Sequence, residues 1–189
     1  YAEELRARGV PVRIAEDGWA KSPVIVAARA ALAFAANPAD IHAGLLLRTL
    51  GPDPLSLQEA LSAQMEGRLV DDPVLMRLAA LSNLLARLPV GAALDLVLDA
   101  AGLRLWAERQ PDAAQSRADL MRLEAEAGEF EAAHRDLKSA SGFHGETAKV
   151  FLGWLDARGG ERDFDRHPDP SANSAEAVEI VTWHASKGR

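Results

Sequence analysis

Residues 182–188 hold the densest set of groups that could do chemistry. Thr182, His184, Ser186, Lys187 and Gly188 form Thr-x-His-x-Ser-Lys-Gly. Thr182 and Ser186 offer hydroxyl donors and His184 offers a ring nitrogen. Lys187 brings a positive charge, and Gly188 lets a backbone amide approach a ligand closely. Together these groups suit phosphate. The residues before them say how they are held: Val178, Ile180 and Thr182 alternate with Glu179, Val181 and Trp183, which is the period of a short strand. The bland reading is an ordinary strand that ends in a polar turn. Trp183 faces opposite to its neighbours; it could stack a base, but packing against a core is the preferred reading.

Other chemistries find less support. ATP hydrolysis needs a glycine-rich phosphate loop with Lys and Ser/Thr, plus acidic residues for magnesium. No G-x-x-x-x-G-K-[ST] occurs, and Gly142-Phe143-His144-Gly145 is not one, so the chain alone is not expected to hydrolyse ATP. The absence of cysteine removes disulfides, zinc–cysteine sites and thiol nucleophiles, and it fits a reducing cytoplasm. His42, His134, His144, His167 and His184 form no His-x-x-x-His or His-Glu-x-x-His pair. His134 sits on an apolar helix face and reads as a core histidine. Asp163, Asp165, His167 and Asp169 are close enough in sequence to hold a cation loosely, though a solvated loop is the simpler expectation. No Gly-x-Ser-x-Gly supports a serine nucleophile.

The chain has 189 residues, 48% of them apolar, which is enough for a proper core and too apolar for disorder. Alanine and leucine dominate, which favours helix over sheet. No apolar run approaches about 18 residues, so no membrane span is expected. The net charge of −7 makes the chain a poor DNA binder on its own. It starts without Met and stops inside the phosphate-binding pattern, as a piece of a longer protein would.

The elements that must position the turn are mostly helical. A short helix over 1–8 stops at Gly9, and Val10 to Ile14 follows as a strand with Pro11 near its start. After a loop over 16–20, Ser22 and Pro23 start a helix that runs to Asn37-Pro38. Asp40 caps the next, which stops at Gly51-Pro52. Ser56 and Glu59 form a capping box. Asp72-Pro73 starts a helix with the core stripe Leu78, Leu81, Leu85 and Leu88. Another helix covers 91–101. The longest is expected over about 112–140. Asp112 caps it with Gln115 as the answering side chain. Leu120, Leu123, Ala127, Phe130, His134 and Leu137 share its inner face, while Asp119, Arg122, Glu126, Glu129 and Arg135 mostly face solvent. Gly128 in its middle costs about 1 kcal/mol against alanine and suggests close packing or a bend. A last helix over 146–157 turns Val150, Phe151, Trp154 and Leu155 inward. Residues 159–174 are polar, hold Pro168 and Pro170, and are expected to be mobile.

The 178–188 stretch resembles motif V of the UvrD/Rep-type superfamily 1 DNA helicases, in which Val-x-(Ile/Leu/Val)-x-Thr-x-His-x-(Ser/Ala)-Lys-Gly is followed by Leu-Glu. Five positions match at fixed spacing; Arg189 stands where the family has leucine. Weaker likenesses occur in the family's order: Gly9-Val10-Pro11 before a strand, Ala36-Asn37-Pro38-Ala39-Asp40 between two helices, Arg117 through Phe130, and Phe151-Leu152-x-Trp154-Leu155. The last two resemble the AddA/RecB-like branch. The resemblance implies a mainly α fold: a helical 2B-like insertion domain, with a small β element formed by the two chain ends as remnants of the 2A domain. It divides the chain into 1–20 (2A-type helix and strand), 21–160 (2B-like domain), 161–174 (linker) and 175–189 (the strand with motif V).

In function, the resemblance implies a fragment of an ATP-dependent DNA helicase of the helicase–nuclease type, cytoplasmic and acting in double-strand break repair. Thr182, His184 and Ser186 are then the DNA-side residues, and Lys187 and Gly188 lie toward the nucleotide. ATP and Mg2+ belong to the parent protein, with no metal site and no cofactor on the fragment. Partners are single-stranded and junction DNA and a nuclease or helicase subunit, with no membrane. Two alternatives stay open: an all-helical protein-interaction module with no nucleic-acid role, which suits the acidic long helix, and a small helical enzyme with no visible site.

Overall fold

The computed structural model describes residues 4–5, 8–10, 12–14, 17–133, 142–161, 164–170 and 178–180. Among them run eight α-helices: α1 Pro23–Ala36, α2 Ile41–Leu50, α3 Leu57–Met65, α4 Pro73–Leu85, α5 Val90–Ala100, α6 Leu103–Ala107, α7 Ala113–Ala132 and α8 Ala148–Arg158. Short 3-10 turns cover Trp19–Lys21 and Leu69–Asp71, and two three-residue strands, β1 Val12–Ile14 and β2 Val178–Ile180, complete the order. The fold is mainly α, as the alanine and leucine bias implies. None of the described helices is long and apolar enough to cross a membrane.

Helix α1 lies at the centre. It buries Val24, Ile25, Ala27, Ala28, Ala30, Ala31, Leu32, Phe34 and Ala35, which leaves it almost no polar face. A helix apolar on most sides must be covered on most sides, and α2, α4, α5, α6, α7 and α8 all pack on it. Its alanines let these neighbours come close. On α2, Gly44 answers the same need: a Cβ there would stand 3.1 Å from two ring carbons of Phe34. At the far end of the core, Phe130 meets Phe151 at 5.5 Å and Trp154 at 5.7 Å between ring centres.

The helix starts follow local chemistry. Asp40 accepts from the Ala43 amide at 3.0 Å, and Asp72 from Val74 and Leu75 at 2.9 and 3.1 Å. Ser56 and Glu59 form the full reciprocal box. Asp112 accepts from the Gln115 amide at 3.0 Å and Thr147 from Val150 at 3.4 Å. Each such cap stabilises its helix by about 1 kcal/mol. Asp72 also takes the Nε of Arg48 at 2.8 Å, so that guanidinium can be buried. Of the expected core stripe, Leu78 and Leu85 are buried and Leu81 half-buried on α4; the helix ends at Leu85, so Leu88, also half-buried, lies in the turn beyond it.

Several expectations are corrected. Ser22 stands at the N-cap of α1 but makes no capping bond; its hydroxyl goes elsewhere. Gln115 likewise turns its amide away from its own helix start. Helix α7 ends at Ala132, with Ala133 extended, rather than near 140. His134, Arg135 and Leu137 lie outside the described residues. Asp119 and Glu126 do not face solvent: they are 1% and 6% exposed. Gly128 is exposed with nothing within 4 Å of where a Cβ would stand, so close packing does not account for it.

Strands β1 and β2 pair in parallel, with Val12 beside Val178, Arg13 beside Glu179 and Ile14 beside Ile180. Parallel neighbours need a long crossover. Here the crossover holds all eight described helices.

Candidate functional site

Thr182, His184, Ser186, Lys187 and Gly188 lie outside the described residues, as does Trp183. What is described is their approach: β2, ending at Ile180, beside β1. Between this pair and the helices the chain passes twice, over 17–22 on the way out and over 164–170 on the way back. These two crossings form the polar site of the described structure.

The crossings are bonded to each other. The amides of Gly18 and Trp19 both donate to the Asp165 carbonyl, at 2.7 and 2.9 Å. The Ala20 amide donates to the Asp165 carboxylate at 2.8 Å, and Asp17 and Arg166 form an antiparallel bridge. Trp19 is 2% exposed and meets Phe164 edge to face, 5.5 Å between centres at 88°. The Arg122 guanidinium, from α7, lies 4.1 Å over the Trp19 ring and donates to the carbonyls of Phe164 and Arg166. So the returning segment is anchored over 164–168, where a mobile loop was expected. The polar composition hid one buried phenylalanine that holds it.

Asp119, also on α7, is the hub. Its Oδ2 accepts the Ser22 hydroxyl at 2.7 Å. Its Oδ1 accepts the Gln115 amide at 3.0 Å and lies 2.9 Å from Nδ1 of His167. Gln115 also donates to the Pro168 carbonyl at 2.8 Å, and the Trp19 indole donates to the Asp119 carbonyl at 3.2 Å. A buried carboxylate costs several kcal/mol unless it is fully partnered. Three side chains from three segments partner this one.

Serine, histidine and aspartate therefore meet, but not in the order of a nucleophile. Nucleophilic catalysis needs the hydroxyl bonded to the base and the base oriented by the acid. Here the hydroxyl and the imidazole both bind the carboxylate. The arrangement clamps backbone and does not activate oxygen. Of the four residues close in sequence here, His167 faces Asp119, Asp165 takes an amide, and Asp163 lies outside the described residues. Among the described residues no cluster of three or more His, Cys, Asp or Glu is arranged to hold a metal.

Two turns further along α7, Glu126 pairs with Arg158 of α8 at 2.6 Å and with Arg122 at 3.7 Å. Arg158 also reaches Glu129 at 3.0 Å and Glu161 at 3.3 Å. Burial pushes the Glu126 carboxyl above its ordinary range; Glu129 adds to the push, while Arg158 and Arg122 pull it back. Ionised Glu126 therefore opposes folding, and that cost appears as the pH rises through the carboxylate range. Glu126→Gln is expected to match or exceed the parent chain in stability at neutral pH, with the difference fading as the pH falls. Urea midpoints at neutral and acid pH check this. A clear loss at neutral pH would mean that the pairing with Arg158 outweighs the desolvation.

Sequence reasoning missed Trp19, Asp119, Glu126 and Phe164. The available signal was the placing of two large aromatics, Trp19 and Phe164, inside segments that otherwise read as polar loops. No family model matches this chain, and no curated protein matches it.

Proposed function

We propose that the chain is part of an ATP-dependent DNA helicase similar to the UvrD/Rep type, of the AddA/RecB-like branch. The helices form a 2B-like body, and the two strands belong to a 2A-like motor domain. The observation that carries this reading is Thr182-x-His184-x-Ser186-Lys187-Gly188 at fixed spacing after a strand. Support comes from β1 and β2, which stand side by side although 163 residues separate Ile14 from Val178, as they would if a body budded from one sheet.

In this reading Thr182, His184 and Ser186 contact the backbone of single-stranded DNA. Lys187 and Gly188 lie on the nucleotide side. One turn that touches both ligands couples ATP hydrolysis to strand movement. ATP and Mg2+ are bound by the rest of the motor, since no phosphate loop occurs here. Junction DNA and a nuclease or helicase subunit are the further partners, and double-strand break repair is the process. Arg189 departs from the family's leucine next to the nucleotide-side residues.

The test is ATP hydrolysis by the full-length protein with and without a single-stranded oligonucleotide. Changing Thr182 and His184 to alanine together is expected to reduce the DNA-stimulated rate about tenfold or more, or about 1.4 kcal/mol in barrier per factor of ten. The rate without DNA should hold. Stimulation that survives both changes removes the assignment, as does the lack of a G-x-x-x-x-G-K-[ST] loop in the full-length protein.

A further inference from the structure

Residues 56–71 leave the body and return to it, and little holds them down in between. Among them only Ala60, Ala63 and Leu69 are buried. Helix α3 is the one described α-helix whose buried residues are all alanine, so two methyl groups carry its docking. Its main neighbours are α2 and the turn Leu69–Asp71, and it is not among the helices packed on α1. Leu57, Leu61, Met65 and Val70 are exposed and add little to the hold. Burial of apolar surface is what fixes a helix to a body, and here there is very little of it.

Polar bonds do not make up the difference. Ser56 and Glu59 bond each other, Arg68 pairs with Glu66, and the amides of Glu66, Gly67, Arg68 and Asp71 donate to carbonyls of the same segment. Among the described residues, every hydrogen bond and ion pair made by 56–71 stays within 56–72. The two ends are the reverse. Buried Arg48, on α2, donates to the carbonyls of Pro52 and Asp53 at 2.9 and 3.3 Å, just before the segment. It donates to the Asp72 carboxylate at 2.8 Å, just after it. The Arg48 carbonyl also takes the Leu55 amide at 2.8 Å. One side chain therefore ties the way out to the way back.

We propose that residues 56–71 form a flap, pinned at its base by Arg48, that opens off α2 as a unit while the rest of the body stays folded. Segments with few buried contacts open at a free energy below that of global unfolding. Opening this one gives up the burial of Ala60, Ala63 and Leu69. It leaves intact the Arg48 bonds, the Asp72 cap of α4 and the core around α1. The open flap uncovers the side of α2 on which α3 lies, and closure covers it again. The proposal does not depend on the helicase assignment and stands or falls apart from it.

Native-state hydrogen exchange on the chain tests it. The amides of Leu61 to Met65, bonded within α3, are expected to exchange about a hundredfold faster or more than those of Ala31 and Leu32 in α1, after correction for intrinsic rates. Leu47 in α2 and Leu78 in α4 lie on either side of the base and should stay in the slow class with α1. Val97→Ala, in the core on α5, should speed exchange at Ala31 and Leu32 about tenfold and leave Leu61 to Met65 within about twofold. The reason is that this change weakens the closed and open forms equally and favours only the unfolded chain. Urea below the unfolding transition, added to the unaltered chain, repeats the test without a mutation: it should speed the α1 amides far more than those of α3. The proposal is overturned if α3 and α1 amides respond alike to Val97→Ala or to urea, or if Leu47 and Leu78 open together with α3. Exchange of Leu61 to Met65 at the rate of a free peptide would also overturn it, since no closed form would then exist.

Discussion

Asp119→Ala is expected to lower the unfolding free energy by about 3 kcal/mol, because it leaves the buried Ser22 hydroxyl and the half-buried Gln115 amide and His167 ring without their acceptor. The Ser22 hydroxyl, the Gln115 amide and the His167 ring all point at this one carboxylate, which is 1% exposed. For a chain of this size the change should lower the melting temperature by about 6–12 °C. Asp119→Asn should cost less, about 1 kcal/mol, since the amide keeps one acceptor oxygen and the Ser22 hydroxyl can turn to accept. Ser22→Ala removes only one donor and should also cost about 1 kcal/mol. The two alanine changes together should cost less than their sum, as expected for residues in one network. Urea unfolding of the three single variants and the double variant measures all of this. A loss below about 1 kcal/mol for Asp119→Ala would mean that the crossings are held by backbone bonds alone.

The contrast between Asp119 and Glu59 shows what a sequence exposes and what it hides. Glu59 and its partner Ser56 are three residues apart, so the capping box is complete within the window that a pattern can scan. Asp40, Asp72 and Asp112 were legible for the same reason, and so were the helix starts they fix. Asp119 joins Ser22, 97 residues before it, and His167, 48 after it. Local pattern gives a lone aspartate on a helix to the solvent side, because an unpartnered charge would not be buried. The partners that permit burial arrive only with the tertiary fold. Ser22 was misread in a related way: its position is that of a cap, but its hydroxyl is drawn to the carboxylate. The Thr-x-His-x-Ser-Lys-Gly pattern at 182–188 is the opposite case. It was legible as spacing alone, and the described structure reaches only its leading strand.

Trp19→Ala is expected to be the more damaging change, at about 3–5 kcal/mol, because it combines a cavity with a lost buried hydrogen bond. The indole is 2% exposed, packs edge to face on Phe164, lies under the Arg122 guanidinium and donates to the Asp119 carbonyl. The walls of the resulting cavity cannot close easily. On one side stands α7, and on the other the 164–168 segment, held by its own bonds to Gln115 and Asp119. Trp19→Phe keeps most of the ring contact and loses the N–H, so about 1–2 kcal/mol is expected. Hydrogen exchange then separates a local effect from a global one. The amides of Gly18, Trp19 and Ala20, bonded to Asp165, should lose protection beyond the global loss in Trp19→Ala. Those of Val97 and Leu98, buried in α5, should follow the global loss alone. If the three crossing amides only follow Val97 and Leu98, the tryptophan stabilises the whole core and the crossings have no separate hold. If they open first, the aromatic contact is what keeps the outgoing and returning segments together, ahead of the strands that lead to Thr182.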